Sequence, residues 1–417
     1  MFVGRMDEIR TIERYLFQAK SGNPQNFLID GERGIGKSSL MHYVSAIATG
    51  KIPGEKGQQF NFLLLSVDMG GVVRQLDIVR AIARELKSSI ARTQDLKERA
   101  KNLWDFLSAW EVLGVRYHKE AEGWDPEDAK DTLVDQLVAF AQAGYGGFDG
   151  VLVVIDEADA PPLEASFGEF LKSITERLNR HGCENIIFGL AGLTSTITKL
   201  RASHESSPRI FSILHLEPLS NDERYQAINI GIKIANERNV DKTLISGGAM
   251  EMVSELSEGY PHFIQQFSYS AFEADKDFQV DADDVRQGAY GENGAIHQLG
   301  RKYFAEAYFG KINSEDYRKL LDVMAEHGDN WVTRRQLIFE SRLKEHTVNN
   351  ALAALKAKSI ILVDEGRQGH YRLPTRSFAA WINAVKAAAR KNAPSGASQL
   401  VFEVDFSSSD VGTDVRG

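Results

Sequence analysis

Hydrophobic positions along this chain fall into two periods. Short, nearly continuous apolar runs at residues 26–30, 60–67, 151–155, 186–190 and 210–216 are bounded by polar or glycine-containing breaks, which predicts buried strands. Between them apolar residues recur at helical spacing, as in Ile9, Ile12 and Leu16. Strands alternating with helices predict an α/β core with a parallel sheet covered on both faces. The stretch from residue 74 to 142 reads as helical and is longer than a simple crossover, so we read it as an insertion. It includes the polar patch 92–101 and a loop-like segment at 122–126. From Pro218 the pattern is helical with short polar breaks. One helix covers 221–236 with Ser220 as its N-cap, another ends at Gly259-Tyr260-Pro261-His262, and a third covers 263–272.

Further on, the spacing predicts helices over 316–327, 334–340 and 345–357, the last with Val348, Leu352 and Leu355 on its buried stripe. A strand at 360–363, a tight turn at Gly366-Arg367-Gln368-Gly369 and a return at 370–373 follow. Three helices and a hairpin predict a C-terminal winged-helix domain. The tail from residue 392 is rich in Ser and Gly and is expected to be disordered. Within it, residues 399–406 alternate apolar and polar, and either add as a strand to a sheet or stay idle.

The run 26–30 leads into Gly31-Glu32-Arg33-Gly34-Ile35-Gly36-Lys37-Ser38-Ser39, and a helical pattern follows. This is G-x-x-x-x-G-K-[ST] in its strand–loop–helix context. Glycines let successive N–H groups curl around phosphate oxygens, and the helix start adds partial positive charge. Lys37 is the candidate for the β- and γ-phosphates, and Ser38 for Mg²⁺. The apolar run 151–155 ends in Asp156-Glu157-Ala158-Asp159. A buried parallel strand delivers such acids to the carboxyl edge of the sheet. Asp156 is then the second metal candidate and Glu157 the base that polarises the attacking water. Asp159 reads as a helix-start residue rather than a ligand. Together these motifs point to an ATP and Mg²⁺ site.

The series Val3-Gly4-Arg5, phosphate loop, Asp-Glu strand end, Gly-x-Pro and winged helix covers nearly the whole chain. It resembles the initiator clade of AAA+ ATPases (origin-recognition and cell-division-control type) and the similar STAND ATPases. The resemblance implies a P-loop parallel-sheet ATPase core at 1–217, a helical lid at 218–310, a winged helix at 311–391 and a tail at 392–417. It implies adenine or ribose contacts from Val3 and Arg5, which simple packing explains equally well. It also implies a sensor at Thr194, equally a helix N-cap, with Ser195 second. Arg209 becomes the candidate arginine finger acting on a neighbouring copy, with Arg201 as the other choice. Pro261 would lean on the base, and His262 stands where AAA+ members place an arginine. STAND proteins usually continue into a long repeat domain; none is expected here, which favours the initiator-like architecture.

Composition narrows the function classes. At 417 residues, two or three domains are expected, and 43% hydrophobic with 26% charged content is that of a soluble globular protein. No apolar run is long enough to span a bilayer, and the start lacks a signal pattern, so no membrane partner and a cytoplasmic location are expected. The single cysteine, Cys183, suits a reducing compartment and reads as a core residue. A net charge of −9 argues against a chain that coats nucleic acid along its whole surface. Residues 311–391, however, carry 15 Lys and Arg against 9 Asp and Glu, a net of +6 that leaves −15 on the rest. That asymmetry favours double-stranded DNA as a partner of this module. His346, Asn349, Asn350 and Lys356 would face a major groove, and Arg367 at the wing tip a minor groove or phosphate. A winged helix making protein contacts inside a nucleotide-gated signalling switch is the alternative. Self-association and an unidentified protein partner complete the expectations.

Overall fold

The computed structural model describes residues 2–92, 125–142, 147–328, 330–358, 360–364 and 366–392. Most of the polar patch 92–101, most of the 122–126 loop and the 399–406 tail segment lie outside the described residues. The chain divides into two compact units, Met1–Ser268 and Tyr269–Gly417. The segment expected as a lid, 218–310, is therefore shared between them.

The first unit begins with α1 (Met6–Lys20), β1 (Asn26–Asp30), α2 (Lys37–Ala48), β2 (Phe62–Val67) and α3 (Gln75–Arg92). It continues with α4 (Pro126–Gln142), β3 (Gly150–Ile155), α5 (Phe167–Arg180), β4 (Ile186–Gly192), α6 (Ser195–Ser203) and β5 (Phe211–His215). The five strands are those expected from the apolar runs. They pair in parallel in the order β2-β3-β4-β1-β5. Every residue of β1, β3 and β4 is buried, as strands covered on both faces must be. The edge strands β2 and β5 instead expose Ser66, Ile213 and His215. Because the sheet is parallel, all five carboxyl ends lie along one edge, where the loops that follow can converge.

One face of the sheet is packed by α3, α4 and α5, whose Ile78, Ile82, Leu133, Leu137, Phe170 and Ile174 form a single buried cluster with strand residues such as Val151, Val153 and Phe188. Each such side chain contributes on the order of 1.5–3 kcal/mol by leaving water. The pair α1 and α2 packs against β4 as well as against each other. Two sequence choices fix the β1–β4 contact. The Asn26 Oδ1 accepts the Phe188 N–H at 2.8 Å. Phe27 faces Gly189 across the register, where a Cβ would stand 2.5 Å from the ring. Cys183 is buried in the same cluster, and burial pushes its thiol up from the ordinary range, against a hydrogen bond from Asn185.

After Pro218 come α7 (Asn221–Arg238), α8 (Gly247–Ser257) and α9 (Pro261–Ala274), the last beginning in the first unit and ending in the second. Ser220 caps α7 as expected. Its hydroxyl accepts the Glu223 N–H, and Glu223 Oε2 accepts the Ser220 N–H at 2.8 Å, a reciprocal cap of about 1 kcal/mol.

The second unit contains α10 (Ala282–Tyr290), α11 (Ala295–Leu299) and the π-helical turns Gly300–Phe304 and Glu306–Gly310. Then follow α12 (Glu315–Glu326), β6 (Val332–Thr333), α13 (Arg334–Ser341), α14 (Glu345–Ala357), β7 (Leu362–Val363), β8 (His370–Arg372) and α15 (Arg376–Asn392). β8 pairs antiparallel with both β6 and β7. The three helices and the hairpin expected here are present, and β6 and α15 are additions. Phe304, Tyr308, Phe378 and Trp381 build the aromatic core of this unit. A Cβ at position 300 would stand 1.9 Å from the Trp381 indole nitrogen, so only glycine fits there. Among the described residues no helix is long and apolar enough to cross a membrane.

Candidate functional site

The carboxyl edge gathers most of the residues singled out by sequence. Between β1 and α2 the loop has φ of 154° at Gly31, 82° at Gly34 and 103° at Gly36, backbone that L-residues rarely adopt. Ile35 is buried beneath it, Arg33 is exposed, and Ser38 and Ser39 are exposed in the first turn of α2. The Lys37 ammonium turns back over the loop, donating to the carbonyls of Gly31 at 2.9 Å and Glu32 at 2.7 Å. Burial pushes its pKa below the ordinary lysine value, opposed by Asp159, Asp156 and Asp30, in that order. An ammonium over a glycine loop that opens a helix is suited to phosphate oxyanions.

At the end of β3, Asp156 is half-buried and its Oδ1 accepts the Glu157 N–H at 2.9 Å. Glu157 is exposed, with φ of 50°. That left-handed backbone costs a non-glycine residue about 1–2 kcal/mol and carries the chain sharply off the strand path. Asp159 corrects an expectation. It starts no helix, since the next helical turn begins at Leu163; instead its Oδ1 accepts the Leu193 N–H at 3.0 Å, and its carbonyl accepts the Lys199 ammonium. Thr194, beside Leu193, is exposed at the start of α6 and makes no side-chain cap bond. At β1 and β5, the buried Asp30 carboxylate lies 2.9 Å from His215 Nδ1. Sequence reading gave neither of these a role; their only signal is position at a strand end.

Two further elements reach the loop. Arg5 is 7% exposed, with φ of 63°. Its Nη2 donates to the Ile35 carbonyl at 3.2 Å, and its N–H to Glu223 Oε1 at 3.2 Å. Burial pushes the Glu223 carboxyl up, but hydrogen bonds from Ser220 and Arg5 hold it below the usual range. Val3 is half-exposed beside it. From the other side, the Tyr260 hydroxyl donates to Glu32 Oε2. Pro261 stands 3.6 Å from where a Gly36 Cβ would be, and the half-buried His262 follows in the first turn of α9. Tyr260 and Glu223 were missed by sequence reading, because their partners are far away along the chain.

Arg209 is not brought to this edge. It is exposed in the helical turn Ser207–Ile210 before β5, at the amino ends of the strands, where it lines a cavity of about 250 Å³ with Asn26, Asn179 and Ile186. Arg201 is exposed in the last turn of α6.

In the second unit, His346, Asn349, Asn350 and Lys356 are exposed on one side of α14. Arg334 Nη1 donates to Asn349 Oδ1 at 3.0 Å and pairs with Glu345 at 3.4 Å. In the β7–β8 turn, Arg367 Nε donates to Asp364 Oδ2 at 2.9 Å. Arg372 lies over the Trp331 ring at 5.0 Å.

The parallel sheet and the glycine loop after β1 are those of a P-loop nucleotide-binding domain. Residues 1–184 match the family model described as the AAA ATPase domain. The chain is similar in fold to the Walker-type ATPase of Pyrococcus abyssi, at 16% identity and a TM-score of 0.57 over 92% of this chain and 96% of that one. It is also similar to the ORC2 protein of Aeropyrum pernix in its ADPNP–ADP complexes, at 16% identity and a TM-score of 0.55 over 93% and 95%. No curated protein sequence matches the chain. Residues 1–184 thus form an AAA ATPase domain, in a chain whose fold is similar to those two structures.

Proposed function

We propose that this ATPase uses its nucleotide state to control DNA binding by a winged helix at 311–391 and the recruitment of partner proteins. The observation that carries the ATP site is the Lys37 ammonium set over the loop whose Gly31, Gly34 and Gly36 have positive φ. Lys37 neutralises the β- and γ-phosphates, and the loop amides orient them. The Ser38 hydroxyl and the Asp156 carboxylate would hold a Mg²⁺ bound with the nucleotide, both being oxygen ligands of the kind that ion takes. The chemistry such an ion would supply is stabilisation of the charge building on the transferred phosphoryl oxygens. Glu157 accepts the proton of the attacking water, and Thr194 orients the γ-phosphate. Val3, Arg5, Pro261 and His262 are the residues we assign to the base and ribose.

Arg209 lies one strand length from its own phosphate loop, so a finger role requires a second copy. Mixing Arg209→Ala with Lys37→Ala protein tests this self-association: recovered ATPase activity supports it, and co-assembly without recovery removes Arg209. For DNA, fluorescence anisotropy of a labelled duplex across a salt series is the direct test. With roughly 3–5 phosphates neutralised, log affinity should fall with log salt at a slope of about −3 to −4. No binding at low salt, with or without ATP, removes the DNA reading.

A second reading, a nucleotide-gated switch that uses the winged helix for protein contacts, is favoured by two observations. Arg367 is tied back to Asp364, and Asn349 is already engaged by Arg334. Capture of a protein partner by full-length protein, dependent on ATP and unaffected by DNA, would select it.

A further inference from the structure

The carboxyl ends of β3 and β4 touch through one side chain that the catalytic assignments above do not use. Asp159 Oδ1 accepts the Leu193 N–H at 3.0 Å, and the Asp159 carbonyl accepts the ammonium of Lys199 on α6. A third tie lies between them, the Ala158 N–H to the Ala191 carbonyl at 2.8 Å. The approach is close enough to need glycine at 192. A Cβ there would stand 3.2 Å from Asp159 Oδ1, 3.3 Å from the Asp159 nitrogen and 2.3 Å from the Thr196 hydroxyl oxygen. Leu193 immediately precedes Thr194, and Asp159 lies two residues after Glu157. Side-chain and backbone bonds therefore join the turn carrying the catalytic acids to the turn carrying the sensor hydroxyl.

We propose that Asp159 is a positioning residue for ATP hydrolysis, fixing the β4–α6 turn, and with it Thr194, against the Asp156–Glu157 turn. The proposal rests on the ATP-hydrolysis reading of the site. Asp159 touches neither reacting atom in this assignment. Its carboxylate joins two strand ends that no local sequence pattern links. The Asp159 carboxylate also brings a negative charge to this edge of the sheet. The geometry separates the two effects. An asparagine at 159 keeps an oxygen to accept the Leu193 N–H but loses the charge, whereas alanine loses both.

The test measures steady-state phosphate release, affinity for a fluorescent ATP analogue and melting temperature on full-length protein. Its variants are Asp159→Ala, Asp159→Asn, Thr194→Val and the Asp159→Ala/Thr194→Val double. A displaced catalytic turn costs about 10- to 100-fold in kcat. We expect that loss in Asp159→Ala, with analogue affinity within about threefold of wild type, and largely restored kcat in Asp159→Asn. The double variant should be no slower than the worse single one, as for two residues acting through one contact. Four outcomes overturn the proposal: unchanged kcat in Asp159→Ala, equal losses of affinity and kcat, an asparagine variant as slow as the alanine one, or multiplicative losses in the double. Should Asp159→Ala not fold, Lys199→Met carries the test at a half-buried site, with kcat expected to fall about threefold at unchanged affinity; unchanged kcat there overturns it. Lys37→Ala run alongside keeps the two failures apart. Wild type no faster than Lys37→Ala sinks the ATPase reading itself, while an active wild type with an unimpaired Asp159→Ala sinks only the positioning role.

Discussion

The carboxyl edge of the β1–β5 sheet and the outer side of α14 are both polar surfaces, built in opposite ways. At the edge, backbone decides where each group stands. Three glycines with positive φ shape the loop, Lys37 is held by two carbonyls, and Glu157 is carried on a left-handed residue. On α14 the backbone is an ordinary helix, and His346, Asn350 and Lys356 extend into water. The difference suits the tasks proposed for the two surfaces. Stabilising a developing phosphoryl charge requires groups fixed before the reaction, since reorganising them during it would raise the barrier. Attraction to a polyanion requires only charge within a Debye length, so flexible side chains serve as well as rigid ones.

The sharpest way to break this contrast is Lys37→Ala. Losing a charge held over the loop should weaken ATP binding by about 100-fold or more, or ~3 kcal/mol. Affinity within threefold of wild type, by titration with a fluorescent ATP analogue, would mean that the edge is not the phosphate site. Next, Glu157→Gln should keep that affinity and lower kcat by about 100-fold. Comparable turnover by phosphate release would remove Glu157 as the base. On α14 and the hairpin, Lys356→Ala with Arg367→Ala should flatten the salt dependence of duplex binding by up to about two units of slope. A parallel loss at every salt concentration would instead indicate a shape-dependent contact.

The smallest effect separates the two surfaces by sign. At position 157, with φ of 50°, glycine should be more stable than alanine by about 1 kcal/mol. At Asn350, mid-helix and exposed, glycine should be less stable than alanine by about 1 kcal/mol. Urea denaturation of the four variants checks both, and equal signs would erase the distinction drawn here.

How much of this could be read beforehand follows the range of the interactions. The phosphate loop and the Asp156–Glu157 turn are local patterns, since spacing and flanking elements carry their chemistry. The five strands were legible because buried parallel strands are short, nearly unbroken apolar runs. Ser220 was legible as a cap because its partner, Glu223, lies three residues on. The clasp from Arg5 to Glu223 and the bond from Tyr260 to Glu32 were not, because they join residues 218 and 228 positions apart. Asp159 misled for the same reason. Its partner Leu193 is 34 residues away, while an acid after a strand looks locally like a helix start. β6, at two residues, is too short for any period to show.

The burial of Cys183 has a practical consequence. It is the only cysteine of the 417 residues and is 2% exposed, with its thiol held in the unreactive form by its surroundings. A cysteine introduced at an exposed position such as Asn350 or Arg180 would then be the one thiol a maleimide dye labels rapidly. The wild-type background can therefore carry a pair of fluorophores or spin labels without first being stripped of native thiols. Distances within either unit become measurable in solution, nucleotide by nucleotide, in the otherwise unaltered sequence.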